Sequence, residues 1–234
     1  MADYVYKKIF LEYTTKQWGL SPDKVNSSVT ARVPVYLSKD NRYFQDKYQG
    51  IPLNGYTKVI EKMLNHKNIK VELNKSFKHL KNTNQNYKRV FYTGSIDQYF
   101  NYEFGILPYR SVYFKFETHD KEYYQSNACV NYPCNYDFTR IHEYKYYLDN
   151  KSIKTVIAKE YSQEFEQGKN ERYYPITSEE NNAMYKKYLD MAKNIPNLYF
   201  LGRLGDYKYY DMDIAILRSI ELFENEIIQR RLSL

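Results

Sequence analysis

The sequence predicts a mixed α/β chain of the α+β kind, with helical segments beside a largely antiparallel β-sheet. Three observations predict this fold class. Residues 109 to 161 are rich in β-branched and aromatic residues, which favour strands. Residues 55 to 68 and 212 to 230 carry apolar residues at helical spacing. A short apolar run, NLYFLG at residues 197 to 202, is typical of a buried strand.

The first 55 residues predict a helix followed by loops. Residues 3 to 18 mix apolar and polar side chains in a way that allows a helix. Residues 20 to 35 predict a short helix and a loop, with Arg32 just before the break at Pro34. Residues 40 to 55 are rich in turn-forming and aromatic residues.

The segment from Gly55 to residue 105 predicts a helix, two strands and a helical turn. Thr57 is a candidate N-cap for the first helix. The apolar face of that helix consists of Val59, Ile60, Met63 and Leu64. Alternation in IKVELNKSF predicts a strand with Ile69, Val71 and Leu73 on one side. KRVFYTG predicts a second strand ending at Gly94, after which Ser95 can cap a helical turn.

The middle of the chain predicts four strands, and the last third predicts two helices around a strand. The four strands are YRSVYFKFETH, NACVNYP, FTRIHEYKYY and KTVIAKEY. In the next helix Thr177 and Glu180 fit a capping box. Its buried face is predicted to hold Met184, Tyr188 and Met191. The last helix presents Ile216, Ile220, Phe223 and Ile227, and ends near Arg230 and Arg231.

Composition excludes several classes of protein. The chain has 234 residues, of which 43% are hydrophobic, so it can form one large domain or two small ones with a real core. No run of about 18 apolar residues predicts a membrane span, and the N-terminus lacks the apolar core of a signal peptide. The net charge of +7 weakly favours an anionic partner such as a nucleotide, nucleic acid or sugar phosphate.

The metal-binding residue types do not form a recognisable motif. Cys129 and Cys134 lie close together without a second pair, and the four histidines are scattered. We therefore expect no metal site, and thiols that stay free in a reducing cytoplasm.

The stretch GRLGDYKYYDMD, residues 202 to 213, follows an apolar strand and precedes a helix. Gly202 and Gly205 can let a flat ligand approach the backbone. The guanidinium of Arg203 can form paired hydrogen bonds with a phosphate or a carbonyl. Asp211 or Asp213 can cap the helix that follows. A plain αβ turn with an aspartate cap explains the same residues equally well. The chain has no GxGxxG fingerprint.

Arginines and tyrosines form a second, dispersed set. Arginines beside aromatics or turns can clamp a diphosphate, and tyrosines can stack on bases or bind phosphates. The arginines are Arg32, Arg110, Arg140, Arg172 and Arg203. The tyrosines are Tyr13, Tyr43, Tyr173, Tyr174, Tyr207 and Tyr209. For any single residue of this set, surface charge or core packing is the simpler explanation.

Seven sequence blocks, in this order and spacing, resemble the later part of UDP-galactopyranose mutases. They are YTTKQWG, ARVPV, DNRYFQDKYQGIPLNGYTKVIEKML, FYTGSIDQYFNYEFGILPYRS, NYPCNYDFTRIHEYKYY, RYYPI and GRLGDYKYYDMD. The resemblance runs from about Phe10 to the last helix. It implies a flavoenzyme that interconverts UDP-galactopyranose and UDP-galactofuranose for cell-surface glycan synthesis, using reduced FAD. Flavin N5 forms an adduct with the sugar while the ring contracts, so the protein's task is placement and charge stabilisation.

The resemblance also implies roles for individual residues. Tyr13 and Trp18 resemble the uridine-side wall and the floor of the substrate site. Arg32 resembles the arginine of a mobile loop that closes over the diphosphate, and Arg140 the direct phosphate clamp; these two are the candidate catalytic residues. Tyr43, Arg110, Tyr174 and Tyr209 resemble the other substrate-side residues. Gly202, Arg203, Tyr209, Asp211 and Met212 resemble the flavin side.

The resemblance further implies a division into segments. Residues 1–54 are a helical and mobile-loop substrate segment, and 55–105 an α/β segment of the FAD domain. Residues 106–176 are the antiparallel substrate sheet, and 177–234 complete the flavin side as the strand–helix portion of a Rossmann-like FAD domain. The family's glycine fingerprint for FAD is not among these blocks, so we expect that a missing N-terminal half completes the site.

The expected ligands are FAD and the two UDP-sugars, in the cytoplasm, with no nucleic acid and no membrane span. A homodimer is left open. Three alternatives also remain: a flavoprotein of the amine-oxidase type, a basic module that binds UDP or nucleic acid without catalysis, and a structural remnant that folds but needs its missing half.

Overall fold

The structure is a computed structural model that describes residues 2–25, 38–40, 42, 45–78, 87–147 and 151–228. Helix α1 consists of three consecutive segments, Ala2–Val5, Tyr6–Leu11 with π-helical turns, and Glu12–Trp18. It ends at Gly19, whose φ of 67° lies in the left-handed region that favours glycine. A 3-10 turn, Pro22–Lys24, follows. The predicted N-terminal helix and the short helix after it are confirmed.

Helix α2 spans Gly55–Leu64 and confirms the predicted helix. The N-cap predicted at Thr57 is wrong. The Gly55 N–H donates to the Pro52 carbonyl at 2.9 Å, and this turn leads directly into the helix, so that Asn54 takes the capping position. The strand predicted from residue 69 is also wrong. Residues 69 to 73 are exposed and form no strand, because alternation alone does not fix a strand without a neighbour to complete its hydrogen bonds.

The predicted antiparallel sheet is confirmed, and it has five strands. They are β2 (Tyr109–His119), β3 (Cys129–Asn131), β4 (Arg140–Glu143), β5 (Thr155–Glu164) and β6 (Tyr174–Pro175), in the order β3-β4-β5-β2-β6. A 3-10 turn, Tyr144–Tyr147, follows β4. All neighbouring pairs are antiparallel, so one end of the sheet is formed by the short strand β3 and the other by β6.

A second, parallel sheet joins two distant segments. Strand β1 (Val90–Tyr92) pairs with β7 (Leu198–Phe200), with Val90 opposite Leu198. Helix α3 (Ile96–Tyr99) follows β1 and has Ser95 at its N-cap position, as predicted, although the Ser95 hydroxyl bonds to the Asp97 carboxylate instead of the helix backbone. Both predicted strands are confirmed. The β7 strand is half-buried, where the sequence predicted a buried one.

Three helices follow β6 in the part of the chain that the structure describes. Helix α4 spans Glu179–Lys193, and α5 is the short turn Gly202–Gly205. Helix α6 spans Met212–Leu222 and continues as a π-helical segment, Phe223–Ile228; Arg230 and Arg231 lie outside the described residues. The capping box predicted at Thr177 and Glu180 is wrong by one residue: Ser178 caps α4, and its hydroxyl accepts from Asn181 N at 3.1 Å.

Two apolar clusters hold these elements together. The larger joins α3, β2 and α4, and the smaller lies on one face of the antiparallel sheet. The larger contains Ile96, Leu107, Tyr109, Tyr188 and Tyr207. The smaller contains Phe138, Ile141, Ile157 and Tyr161. Tyr188 is fully buried, and its hydroxyl donates to Gly105 O at 2.7 Å, so this predicted core tyrosine is confirmed with its polar atom satisfied.

Large apolar surfaces remain exposed on the parallel-sheet side of the molecule. Helix α6 exposes most of its apolar side chains, including Ile216, Ile220 and Phe223. Phe91 and Tyr199 stack on each other, with ring centroids 5.2 Å apart, and Phe91 is 48% exposed. Parallel sheets are normally covered on both faces, and the apolar stripe of an amphipathic helix normally packs against a core. The mixed α/β class is confirmed, and the division into four segments stays a prediction.

Candidate functional site

Strand register places several polar side chains on one face of the antiparallel sheet. Arg140 lies opposite Asn131 on β3 and opposite Glu160 on β5. Residues directly opposite each other in an antiparallel pair point to the same face, so the three side chains project together. Helix α1 lies against this face, and Lys16 Nζ donates to the backbone carbonyls of Tyr132, at 2.6 Å, and Phe138, at 3.1 Å.

Arg140 is the centre of the site. Its guanidinium donates to the hydroxyl of Tyr13 on α1 and lies 5.9 Å from the centroid of that ring. Its Nε lies 3.2 Å from Glu160 Oε1, and the Glu160 side chain is only 6% exposed. Burial opposes the charge of Arg140, but Tyr13 and Glu160 outweigh it and raise its pKa. Arg140 is therefore a permanent cation whose side chain is still 25% exposed.

Glu160 holds its negative charge although it is nearly buried. Burial raises the pKa of Glu160, but the hydrogen bond from His142 and the charge of Arg140 lower it further, and the net shift is downward. Its Oε2 lies 3.3 Å from His142 Nε2, and its Oε1 accepts from Thr139 Oγ1 at 3.1 Å. The carboxylate thus connects two cations on the same face.

Three aromatic rings form a wall beside Arg140. Trp18 at the end of α1 lies 5.8 Å from Tyr174 and 6.4 Å from Tyr209, measured between ring centroids. Tyr174 and Tyr209 are 5.1 Å apart. Burial raises the pKa of Tyr174, and the charge of Arg140 lies close enough to oppose that shift. The wall and the cation therefore belong to one surface.

Arg203 extends this surface toward helix α6. Its guanidinium carbon lies 4.6 Å from the Tyr209 ring centroid and 5.7 Å from that of Tyr174. Nη2 and Nε donate to the Tyr210 carbonyl at 2.7 and 3.2 Å, and Nη2 lies 3.9 Å from Asp211 Oδ1. These contacts fix the cation at the edge of the aromatic wall.

The glycines of the GRLG turn bring α5 close to strand β1. A Cβ on Gly205 would lie 3.2 Å from the Tyr92 carbonyl oxygen, so only glycine lets the two backbones approach. Gly202 has a φ of 85°, and a Cβ there would contact Thr93. The structure therefore explains Gly205 by packing against the sheet. A direct role of Gly202 toward a ligand stays a prediction.

Asp211 occupies the N-cap position of α6, as predicted, although its side chain makes no capping hydrogen bond. Its backbone carbonyl accepts from Ala215 N at 3.0 Å. Met212 is 61% exposed at the start of the helix. The first turn of α6 thus opens to solvent beside Arg203.

Two of the predicted arginines lie away from this surface. Arg110 is buried, and its guanidinium donates to the Gln17 carbonyl and to Ser162 Oγ, both at 3.1 Å. Arg172 packs over the Phe165 ring at 4.2 Å. Among the tyrosines, Tyr207 belongs to the core and Tyr173 flanks Tyr174. Arg32 and Tyr43 lie outside the described residues.

Glu160 and His142 were not predicted from the sequence. Glu160 lies on β5 and His142 on β4, and Arg140 and His142 are two residues apart and so share a face. The pairing of Arg140 with Glu160 depends on the register between β4 and β5, which the sequence does not state. Within the described ranges, no group of three acidic, histidine or cysteine residues could hold a metal ion. In the same ranges, every helix is too short or too polar to cross a bilayer.

Comparison with known proteins gives a consistent result. A family model described as UDP-galactopyranose mutase matches residues 8–209. A probable UDP-galactopyranose mutase of Klebsiella pneumoniae is 39% identical over 93% of this chain and 56% of its own length. A dTDP-fucopyranose mutase of Escherichia coli is 39% identical over 94% and 60% of the two lengths. A UDP-galactopyranose mutase of Mycoplasma pneumoniae is 36% identical over 91% and 57%. The chain thus spans less than two thirds of the curated relatives it matches.

Proposed function

The chain belongs to the UDP-galactopyranose mutase family, and from this membership we propose that it carries the sugar-nucleotide site of a flavin-dependent mutase. The reaction is the interconversion of UDP-galactopyranose and UDP-galactofuranose, an isomerisation without net oxidation. The observation that carries the proposal is the contact between Arg140 and Tyr13 beside the wall formed by Trp18, Tyr174 and Tyr209. A permanent cation with a partly exposed side chain, next to aromatic rings, suits a diphosphate joined to a base.

Arg140 binds the diphosphate in this proposal. Its charge is permanent, and Glu160 and Tyr13 hold the guanidinium in place while 25% of the side chain stays exposed. The hydroxyls of Tyr174 and Tyr209 donate to the remaining phosphate oxygens. Burial raises the pKa of Tyr174, so that its hydroxyl keeps its proton at neutral pH. Tyr13 stacks on uracil, and Trp18 is the buried floor under Tyr174 and Tyr209.

Arg32 and Tyr43 complete the phosphate contacts in the proposal. Both lie in blocks of the family resemblance, ARVPV and NRYF. Arg110, by contrast, acts on the site through helix α1, because its guanidinium holds the Gln17 carbonyl next to Trp18. It is a positioning residue.

The flavin side of the proposal fits the residues present. Arg203 offers a fixed cation, and the first turn of α6 offers backbone N–H groups and the exposed Met212 side chain. Asp211, Met212 and Arg203 would hold the edge of an isoalloxazine ring. Reduced FAD, when bound, would supply the electron pair that keeps the sugar attached while its ring opens and closes.

The exposed apolar surfaces support a further part of the proposal. The apolar surfaces of helix α6 and of the Phe91–Tyr199 pair are exposed, and such surfaces are normally packed against other residues. The relatives are much longer than the matched region, so they contain residues that could pack there. We propose that the additional α/β residues of the family, in the same polypeptide or in a second one, extend the β1–β7 sheet into a Rossmann-like domain for FAD. The cytoplasm is the expected compartment, because two free thiols suit a reducing environment.

The nucleotide preference requires a direct test. The chain is equally similar to a protein named for dTDP-fucopyranose and to one named for UDP-galactopyranose. We propose UDP, since the family model and the other relatives carry the UDP name.

Calorimetric titration of the purified chain with UDP, dTDP and a short single-stranded RNA tests the function. UDP binding, weakened in Arg140→Ala, supports the proposal, and a yellow protein supports its flavin side. Stronger binding of dTDP than of UDP would make dTDP the nucleotide of the proposed substrate. RNA binding without UDP binding would overturn the proposed function. In a chain completed with the family's N-terminal part, we expect Arg140→Ala to abolish turnover and Arg32→Ala to lower activity with normal flavin content. Near-normal UDP affinity in the first variant, or lost flavin in the second, contradicts the assigned role.

A further inference from the structure

Lys16 on helix α1 joins the two ends of the loop between strands β3 and β4. Its Nζ donates to the Tyr132 carbonyl at 2.6 Å and to the Phe138 carbonyl at 3.1 Å. The same loop is closed at its base by a hydrogen bond from Tyr132 N to Thr139 O at 2.8 Å. One ammonium group therefore connects the helix to carbonyls that lie 116 and 122 residues further along the chain.

The loop that receives Lys16 is itself anchored in the sheet. The Phe138 side chain is buried in the smaller apolar cluster, and the centroids of the Phe138 and Tyr132 rings are 5.0 Å apart, edge to face. Thr139, the next residue, donates from Oγ1 to Glu160 Oε1 at 3.1 Å. Because both ends of the loop are held, the contact of Lys16 with them sets the position of helix α1 on the sheet.

Lys16 and Tyr13 contact neighbouring points at the start of strand β4. They are three residues apart, so they lie on the same side of helix α1. Lys16 contacts the carbonyl of Phe138, and the hydroxyl of Tyr13 accepts a hydrogen bond from the guanidinium of Arg140, two residues further on. A helix that moved away from the loop at Lys16 would therefore also withdraw the Tyr13 hydroxyl from Arg140.

A second anchor holds the end of the same helix. Arg110 on β2 and Ser162 on β5 both donate to the Gln17 carbonyl. A helix held at one point can still pivot about that point, whereas a second point held by another part of the sheet fixes its direction. Lys16 supplies the second point, on the side of the sheet where β3 and β4 lie.

We propose that Lys16 is a positioning residue of the nucleotide site, which sets the docking of helix α1 on the start of β4 and so the contact between Tyr13 and Arg140. The Lys16 ammonium is engaged with two backbone carbonyls, and it acts on the ligand through Tyr13 and Arg140. The effect on nucleotide binding rests on the proposed function, whereas the docking of α1 does not.

Hydrogen–deuterium exchange followed by peptide mass spectrometry tests the docking without any nucleotide. Lys16→Met keeps a long side chain and removes its donors, so we expect about tenfold faster exchange at residues 12–19 and in the loop 132–139. Exchange in helix α4 should stay at the parent rate, because α4 packs in the other apolar cluster. Unchanged exchange at either site in folded Lys16→Met would overturn the proposal. Equally faster exchange in α4 would also overturn it, since it would show a general loss of stability.

UDP affinity tests whether Lys16 acts through Tyr13. It is measured by calorimetry for the parent chain, Lys16→Met, Tyr13→Phe and the double variant. We expect Lys16→Met to weaken UDP binding about tenfold in the parent chain and less than about twofold in Tyr13→Phe, which already lacks the hydroxyl that contacts Arg140. Lys8→Met, which removes an exposed lysine of the same helix, is the matched control and should bind UDP like the parent. A Lys16→Met effect of equal size in the two backgrounds contradicts the positioning role.

Lys16→Arg keeps the proposal testable if Lys16→Met does not fold. Arginine can donate to both loop carbonyls, so we expect UDP affinity within about twofold of the parent and parent-like exchange at the end of α1. A tenfold loss of UDP affinity in folded Lys16→Arg would overturn the proposal, because donors to the two carbonyls would then not suffice to place the helix. If the parent chain itself does not bind UDP, the proposed function is contradicted, and the exchange experiment still decides the docking of α1.

Discussion

Arg110 Nε donates to the backbone carbonyl of Gln17 at 3.1 Å, so an arginine of the antiparallel sheet holds the end of helix α1. Ser162 Oγ donates to the same carbonyl at 2.5 Å. A Cβ on Gly19 would lie 3.0 Å from Arg110 Nη1, so the glycine that ends the helix also leaves room for the guanidinium. The residue between Gln17 and Gly19 is Trp18, and these contacts therefore fix the floor of the candidate site.

We expect Arg110→Ala to destabilise the protein by about 2–4 kcal/mol, because it removes buried hydrogen bonds and leaves a cavity under α1. Urea unfolding followed by the fluorescence of Trp18, the only tryptophan, measures the change. Arg110→Lys keeps the charge but cannot reach both partners, so we expect an intermediate loss. An unfolding midpoint equal to that of the parent chain would show that Arg110 does not hold the helix.

Arg140→Ala should weaken UDP binding about 30-fold or more, the equivalent of roughly 2 kcal/mol or more for truncating a charge that contacts phosphate. Arg140→Lys should recover part of the affinity, since it keeps the charge without the forked geometry. Quenching of Trp18, which lies in the same wall, reports binding. If alanine and lysine variants bind UDP equally, the charge of Arg140 is not what binds the diphosphate.

Stability should fall as the pH rises through the range in which His142 loses its proton. Its pKa rises from the ordinary value of 6.5 to about 9 through its hydrogen bonds with Cys129 and Glu160. The protonated form is therefore favoured in the folded state, and its contribution is complete below pH 6.5 and lost as the pH passes about 9. The loss is on the order of 2–3 kcal/mol.

The folded-state pKa of Glu160 is lowered, so its contribution is present above its ordinary value and is lost as the pH falls through the shifted one. Denaturant unfolding at a series of pH values measures both losses of stability: the alkaline limb, assigned to His142, and the acid limb, assigned to Glu160. His142→Gln should flatten the alkaline limb and leave the acid limb in place. An alkaline limb that is equally steep in this variant would assign the effect to another group.

Asp97→Asn should cost about 3–5 kcal/mol of stability, because it removes a buried charge that several donors share. Leu107 N and Gln98 N donate to its carboxylate at 3.0 and 2.9 Å, and Arg172 Nη2 lies 3.6 Å away. Thermal unfolding monitored by circular dichroism gives the change.

Asp190→Asn is the matched control for this variant. It breaks an exposed pair with Lys193, at 2.7 Å, and should change stability by less than about 0.5 kcal/mol. If the two substitutions lowered stability equally, the burial of Asp97 would not explain its effect.

Ile220→Glu should reduce the binding of the dye anilinonaphthalenesulfonate, because it interrupts the exposed apolar face of helix α6. Ile153→Glu is the control: this isoleucine is 82% exposed in the loop before β5. Dye fluorescence of the two variants and the parent chain is compared at equal concentration. We expect only Ile220→Glu to lower it, and equal fluorescence in all three would show that α6 is not the dye-binding surface.

Helices and strands with a strong local pattern were predicted well from the sequence. Helix α2 and the long strands β2 and β5 follow from apolar spacing and from β-branched and aromatic content, which are properties of neighbouring residues. The strand expected at residue 69 failed because no neighbouring strand pairs with it. The cap of α4 moved from Thr177 to Ser178 because its position depends on which hydroxyl reaches the first free N–H group.

The candidate site was likewise predicted in part from local sequence and decided in part by the tertiary structure. The sequence nominated Arg110 and Arg140 on the same grounds, since both lie beside aromatic residues in strands. The family resemblance gave Arg140 the phosphate-clamp role, and the structure adds the physical difference: Arg110 is buried against the end of α1, and the Arg140 side chain stays partly exposed beside Tyr13. Glu160 was missed because its pairing with Arg140 depends on the register of β4 and β5.

The sequence by itself determined the mixed α/β class, most of the elements and, through seven blocks in register, the mutase family. Those properties depend on residue order and on local periodicity. The tertiary structure decided which arginine stays partly exposed and that Glu160 and His142 share the face of Arg140. The physical reason is that burial, strand register and helix docking set the distances between residues far apart in the chain, and charge interactions depend on those distances.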